Sequence, residues 1–155
     1  MKVTFLGTGT SQGVPVIACS CEVCQSEDHK DKRTRSSIYI EVDGQHLVVD
    51  TGTDFRTQML REKVQELDAV IFTHAHKDHT AGMDDIRPFY FKNKADMPIY
   101  GTEAVVDQLK QEFAYVFADY KYPGVPGVDV NLIDNAPFHV GDTLITPIQV
   151  MHYKM

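Results

Sequence analysis

Four potential metal ligands fall inside six residues of this 155-residue chain: His74, His76, Asp78 and His79, in the string Phe72-Thr-His-Ala-His-Lys-Asp-His-Thr-Ala-Gly82. No other feature restricts the fold as much. The string follows directly on Asp68-Ala-Val-Ile-Phe-Thr73, a short apolar run typical of a strand buried on both faces. A strand end holds its backbone still, and alternate residues of an extended segment point the same way, which puts His74 and His76 together. If the chain then turns into a helix, Asp78 and His79 leave its first turn on a different heading. Ligands leaving in two directions suit two adjacent ions better than one. A lone histidine is more often an exposed or core-satisfied imidazole. Spacing this dense behind an apolar strand instead follows the logic of metal motifs. Imidazole and carboxylate ligands favour zinc, with manganese or iron also admitted.

Around that point the chain reads as mixed α/β. Lys2 to Leu6 is a first strand, and Gly7-Thr-Gly-Thr-Ser-Gln-Gly13 is a polar loop. That loop lacks both G-x-G-x-x-G and a P-loop lysine, and Pro15 interrupts any helix after it, so it is read as a tight turn beside the metal site. Ser37–Val42 and His46–Asp50 flank Asp43-Gly44, a hairpin signal. Thr53 to Leu67 carries Phe55, Met59, Leu60, Val64 and Leu67 at helical spacing, with Thr53 or Asp54 available as cap. A loop rich in aromatics and lysines follows the histidines. Pro98–Gly101 is a short strand, Thr102–Phe113 a second amphipathic helix capped by Thr102, and 128–133, 138–140 and 143–150 are three more strands. The early hairpin makes the sheet mixed, with helices covering it. His46 and His139 sit on strands and are read as structural. Phe89, Tyr90 and Phe91 wall a pocket or, as aromatics more often do, fill core.

Length and composition bound the rest. The chain is long enough for one domain, taken as residues 1–155, and too short for two comfortable ones. A net charge of -7 argues against a nucleic-acid backbone or an anionic membrane as obligate partner, and leaves a small anionic substrate open. No targeting or spanning segment is visible. The three cysteines, Cys19, Cys21 and Cys24, lie within six residues in a charged excursion over 18–35. An odd number so closely spaced is a poor disulfide framework, and suits structural zinc in a reducing, cytoplasmic compartment. Three buried or surface thiols without metal are the alternative. The fourth ligand is unassigned, with His29 close in sequence.

The string HAHKDH matches the H-x-H-x-D-H motif of the metallo-β-lactamase-fold hydrolases. The flanking GTGTSQGVP, Cys19-x-Cys21-x-x-Cys24, LVVDTG and HTAGMDDIRP resemble the branch containing the cyclic-phosphate phosphodiesterase of phosphonate breakdown and the pyrroloquinoline-quinone biosynthesis protein B. The resemblance implies an αββα sandwich of which mainly the first half is present. It implies that His74, His76 and His152 hold one catalytic ion, and that Asp78 with His79 holds a second, Asp78 also serving as a proton shuttle. It makes Asp50 a carboxylate steadying the motif histidines, though an ordinary turn aspartate reads the same way. In the resembling phosphodiesterase a C-terminal histidine completes the cysteine site. Arg87 has two uses open to it: holding a substrate phosphate through paired hydrogen bonds, or pairing with Asp84 or Asp85.

The implied activity is metal-dependent hydrolysis by a metal-bound hydroxide, foremost of a small phosphodiester, cyclic ones included. A thioester or lactone hydrolase on the same scaffold and a non-catalytic zinc-binding accessory protein are the alternatives. The bridging aspartate and final histidine of such sites lie outside these residues. The chain is therefore expected to be the N-terminal part of a longer domain, or one whose open sheet face a partner, such as a second copy, covers.

Overall fold

The structure is a computed structural model that describes residues 1–152. Its sheet is organised by the Asp43-Gly44 turn, whose φ values of 50° and 77° are the two left-handed conformations that a type I′ hairpin turn requires. The turn joins β2 (Ser37–Val42) to β3 (Gln45–Val49) in antiparallel register, with β1 (Lys2–Gly7) antiparallel on the outer side of β2. Beyond β3 the pairing becomes parallel through β4 (Ala69–Ile71), β5 (Met97–Gly101) and β6 (Val128–Leu132), in the spatial order β1-β2-β3-β4-β5-β6. Parallel neighbours need crossover connections. These are α2 (Phe55–Arg61), then α3 (Lys77–Thr80) with α4 (Arg87–Asn93), then α5 (Glu103–Glu112) with α6 (Ala114–Phe117). A four-residue helix, α1 (Glu22–Gln25), lies in the cysteine-bearing excursion.

Strand alternation sorts the side chains between two faces. Leu6, Tyr39, Val48, Val70 and Ile99 meet Phe55, Met59, Ile86, Phe89, Val105 and Leu109 from the helices in the main core. Phe55 is wholly buried, and burying a side chain of that size stabilises by about 1.5–3 kcal/mol. On the other face, the hairpin of β7 (Phe138–Val140) and β8 (Thr143–Ile145) covers Leu47 and Ala69, and Phe138 stacks on Tyr100 at 5.2 Å. That face stays open towards β1, where Val3 and Phe5 pair with Ile40 and Ile38 and remain 40% and 69% exposed.

Four local expectations are corrected. The helix expected over Thr53–Leu67 stops at Arg61, because Lys63 takes a φ of 54° and Val64 N–H donates back to the Met59 carbonyl at 3.0 Å. With Lys63 N–H on Leu60 O this is a Schellman stop, and a lysine stands where glycine usually signals one. Asp54 does not cap the helix; its carboxylate accepts instead from the Arg35 backbone N–H and guanidinium at 2.9 and 3.0 Å. The loop expected after the histidines is a 3-10 turn over Met83–Ile86 followed by α4, because Met83, Ile86 and Phe89 recur at three-residue spacing and bury together. The last expected strand ends at Ile145 rather than Val150, and Ile148 and Val150 are exposed. Among the described residues, no helix is long and apolar enough to cross a membrane.

Candidate metal centre

The histidine string leaves the end of β4, which is wedged between β3 and β5 and so cannot shift. Phe72 N–H is held by Tyr100 O at 2.8 Å. His76 is the extended residue before α3, and its carbonyl accepts from His79 N–H at 2.9 Å and from the Thr80 hydroxyl at 3.2 Å. Three ring nitrogens converge there. His74 Nε2 lies 3.1 Å and His152 Nε2 3.3 Å from His76 Nδ1, although His152 is 76 residues from His76 in sequence. Zinc–nitrogen bonds of about 2.0–2.1 Å at a tetrahedral angle place two ligand nitrogens about 3.3 Å apart, so this set fits one zinc ion.

Asp50 holds the cluster from behind. Asp50 is 4% exposed, and its carboxylate accepts three bonds: Thr73 N–H at 2.8 Å, the Thr73 hydroxyl at 2.7 Å, and His79 Nδ1–H at 2.7 Å. Because the Thr73 proton goes to Asp50, Thr73 Oγ1 accepts from His74 Nδ1, which lies 2.9 Å away. One carboxylate thus holds a proton on Nδ1 of both rings, so that Nε2 is the atom each ring offers to an ion. The hydrogen bond to Asp50 raises the His79 pKa above its usual range, whereas burial, and then the charge of His79, lowers that of His74. His79 Nε2 faces Asp78 Oδ2 at 3.2 Å, and the His74 and His79 rings lie 4.1 Å apart. Asp78 and His79 therefore stand beside the three-histidine set as a separate pair.

The approach of this loop to α3 is close. A Cβ at Gly52 would sit 2.1 Å from Asp78 O, and one at Gly82 would sit 2.2 Å from Gly52 O. Glycine is required at both places for the Asp50 loop and the ligand turn to meet. Gly7 and Thr8 share with Asp50 a groove of about 430 Å³ on the open face. Sequence reasoning misses Thr73, although its place between strand and motif is a usable signal.

Cys19, Cys21 and Cys24 present their sulfur atoms within 4.8 Å of one another, and Val16 N–H donates to Cys24 Sγ at 3.3 Å. A fourth ligand does not join them among the described residues; His29 is 90% exposed beside Asp28. Arg87 spends its guanidinium on Asp84, with Nη2 at 2.6 and 2.7 Å from the two carboxylate oxygens, so the ion pair is the use the structure displays. Phe89 fills core, Tyr90 is partly buried and Phe91 is exposed.

Residues 45–155 match the family described as the beta-lactamase superfamily domain. Over its whole length the chain is 39% identical to a protein of Porphyromonas gingivalis named octanoyltransferase, of which it covers 32%. A solved diphosphatase from the PhnP family superposes on 97% of this chain and 57% of its own with a TM-score of 0.87 and 37% identity. Zn²⁺-bound PqqB from Methylobacterium extorquens superposes on 90% of this chain and 48% of its own, with a TM-score of 0.70 at 23% identity, a likeness of fold. The chain thus spans 32% to 57% of the length of these three proteins.

Proposed function

The chain belongs to the beta-lactamase superfamily, in its metallo-β-lactamase fold, and on that premise we propose that it carries the metal-binding residues of a hydrolase acting on a small phosphodiester. The observation that carries this reading is the convergence of His74 Nε2, His76 Nδ1 and His152 Nε2, with Asp78 and His79 alongside. The first three would hold one ion and the last two would contribute to a second. Two ligands leave open positions on an ion that takes four, and water or further donors would fill them. Divalent ions here would supply Lewis acidity, bringing the pKa of water to about 7 and stabilising charge on a phosphoryl oxygen. The protein's own part is orientation. Asp50 holds a proton on Nδ1 of His79 and, through Thr73, of His74, so that each ring would offer Nε2 to an ion, and Asp78, partly exposed beside His79, would exchange protons with a leaving group. The likeness to a PhnP-family diphosphatase supports a phosphoryl substrate. Two further expectations belong to this proposal: a structural zinc at the three cysteines, and a cytoplasmic setting with a second copy or further chain over the open face.

Thioester hydrolysis is the second reading, favoured by the 39% identity to a protein named octanoyltransferase. Purified protein is loaded with zinc or manganese and assayed on bis-p-nitrophenyl phosphate and on acyl thioesters, with metal content measured alongside. Phosphodiester turnover dependent on added metal is expected. Thioester turnover with an inert phosphodiester transfers the proposal to the second reading, and metal-loaded protein inert on both supports a non-catalytic zinc accessory.

A further inference from the structure

The four-residue helix α3 carries Asp78 and His79, and a helix that short has no stability of its own; its position must come from tertiary ties. One set comes from the loop after β3: Thr51 N–H to His79 O at 2.8 Å, Gly82 N–H to Thr51 O at 2.8 Å, and His79 Nδ1 to Asp50 at 2.7 Å. A second set approaches from the opposite side, from the junction of α5 and α6. Glu112, with its side chain 9% exposed, places Oε2 2.7 Å from Nζ of Lys77, the residue between His76 and Asp78. Its other oxygen accepts from Gln108 Nε2 at 2.6 Å, which holds the carboxylate still. Three residues on, the Tyr115 hydroxyl donates to Asp84 at 2.5 Å, and Arg87 clasps the same carboxylate. The junction therefore grips both ends of the segment 77–84 that contains two of the proposed ligands. Lys77 is the ion-pair partner of the buried Glu112 Oε2, and together with Gln108 and Thr80 it holds the Glu112 pKa below its usual range against the effect of burial.

We infer that Glu112 is a positioning residue which, through Lys77, sets where Asp78 and His79 present their ligand atoms. The inference rests on the metal reading of the site. Lys77 is 67% exposed, and an ion pair with so exposed a partner contributes little to global stability. The effect of breaking it is therefore local to α3, a signature that a merely structural contact lacks.

The test uses Glu112→Gln, which keeps the shape and removes the charge, together with Lys77→Met and the double variant. In metal-free protein, amide exchange at Asp78, His79 and Thr80 is expected to quicken several-fold while amides of β3 and β4 are unchanged. Zinc affinity at the Asp78–His79 pair, measured by competition with a chromogenic chelator, is expected to fall by about 3- to 10-fold, less than loss of a direct support costs. The double variant is expected to behave like either single one, since each breaks the same pair. Unchanged exchange at α3 in folded variants, or additive losses in the double variant, would overturn the inference. If wild-type protein takes up no zinc at the histidines, the metal reading fails, and the exchange measurement alone still decides whether Glu112 positions α3.

Discussion

Asp50→Asn is the perturbation that separates a carboxylate holding the site together from an ordinary turn residue. Asparagine tolerates the φ of 65° at this position, so backbone strain is not added. With its oxygen towards Thr73 N–H, the amide nitrogen replaces the oxygen that accepts from the Thr73 hydroxyl and from His79 Nδ1, each at 2.7 Å. Two donors then face a donor. The rotated amide instead sets NH₂ against Thr73 N–H, so either orientation leaves a clash. The relaxed answer is proton rearrangement: His79 Nδ1 accepts from the amide, and the Thr73 hydroxyl turns to His74 Nδ1. Both rings thereby move their proton to Nε2, the atoms proposed to bind metal. Two hydrogen bonds to a charged group are lost or reversed, at about 1.5–3 kcal/mol each before relaxation. A net loss of about 2–4 kcal/mol leaves the protein folded within the usual 5–15 kcal/mol. Zinc affinity should fall about 10- to 100-fold, or about 1.4–2.8 kcal/mol. Urea unfolding of metal-free protein, chelator competition and nitrogen-15 spectra of the histidine rings read the three effects. A folded Asp50→Asn variant with bare Nε2 on both rings and unaltered zinc affinity would refute the reasoning.

His76→Ala removes the nitrogen shared by both short ring contacts, and mass spectrometry should find one zinc equivalent fewer with most of the fold retained; unchanged metal would remove His76 from the site. Cys21→Ser should lower the thermal midpoint and remove a different zinc equivalent while the histidine zinc stays, and loss of the latter instead would link the clusters chemically. The His79 pKa is raised above its ordinary 6.5, chiefly by Asp50, so its contribution is fully present below pH 6.5 and is lost as pH rises through the folded value. In metal-free protein, the stability gap between wild type and His79→Gln should therefore narrow above pH 6.5; a gap that widens there would contradict the ion pair. Phe55→Ala, emptying a wholly buried site, should cost about 3–5 kcal/mol in denaturant unfolding, and a loss under about 1 kcal/mol would remove Phe55 from the core.

The hairpin at Asp43-Gly44, the buried strand at Ala69–Ile71 and the ligand string behind it are all legible in the chain, because each is written in neighbouring residues. Turn chemistry, side-chain period and ligand spacing are local physics. The stop of α2 at Lys63 carries no such signature, since tertiary packing of Val64 and Met59 holds a left-handed conformation that lysine does not advertise. Arg87 has two partners open to it until folding sets Asp84 and Tyr115 together. His152 is attached to the site only through family resemblance, and tertiary structure brings its ring to His76. Glu112 has no signal at all: whether a helix-end carboxylate faces solvent or Lys77 depends on how α5 lies against the sheet. The sequence by itself determined which chemistry is available and on which strand end it sits. Only the tertiary structure decided which distant carboxylates orient it, because partners as far apart in the chain as Asp50 and His79, or Glu112 and Lys77, are selected by packing and not by period.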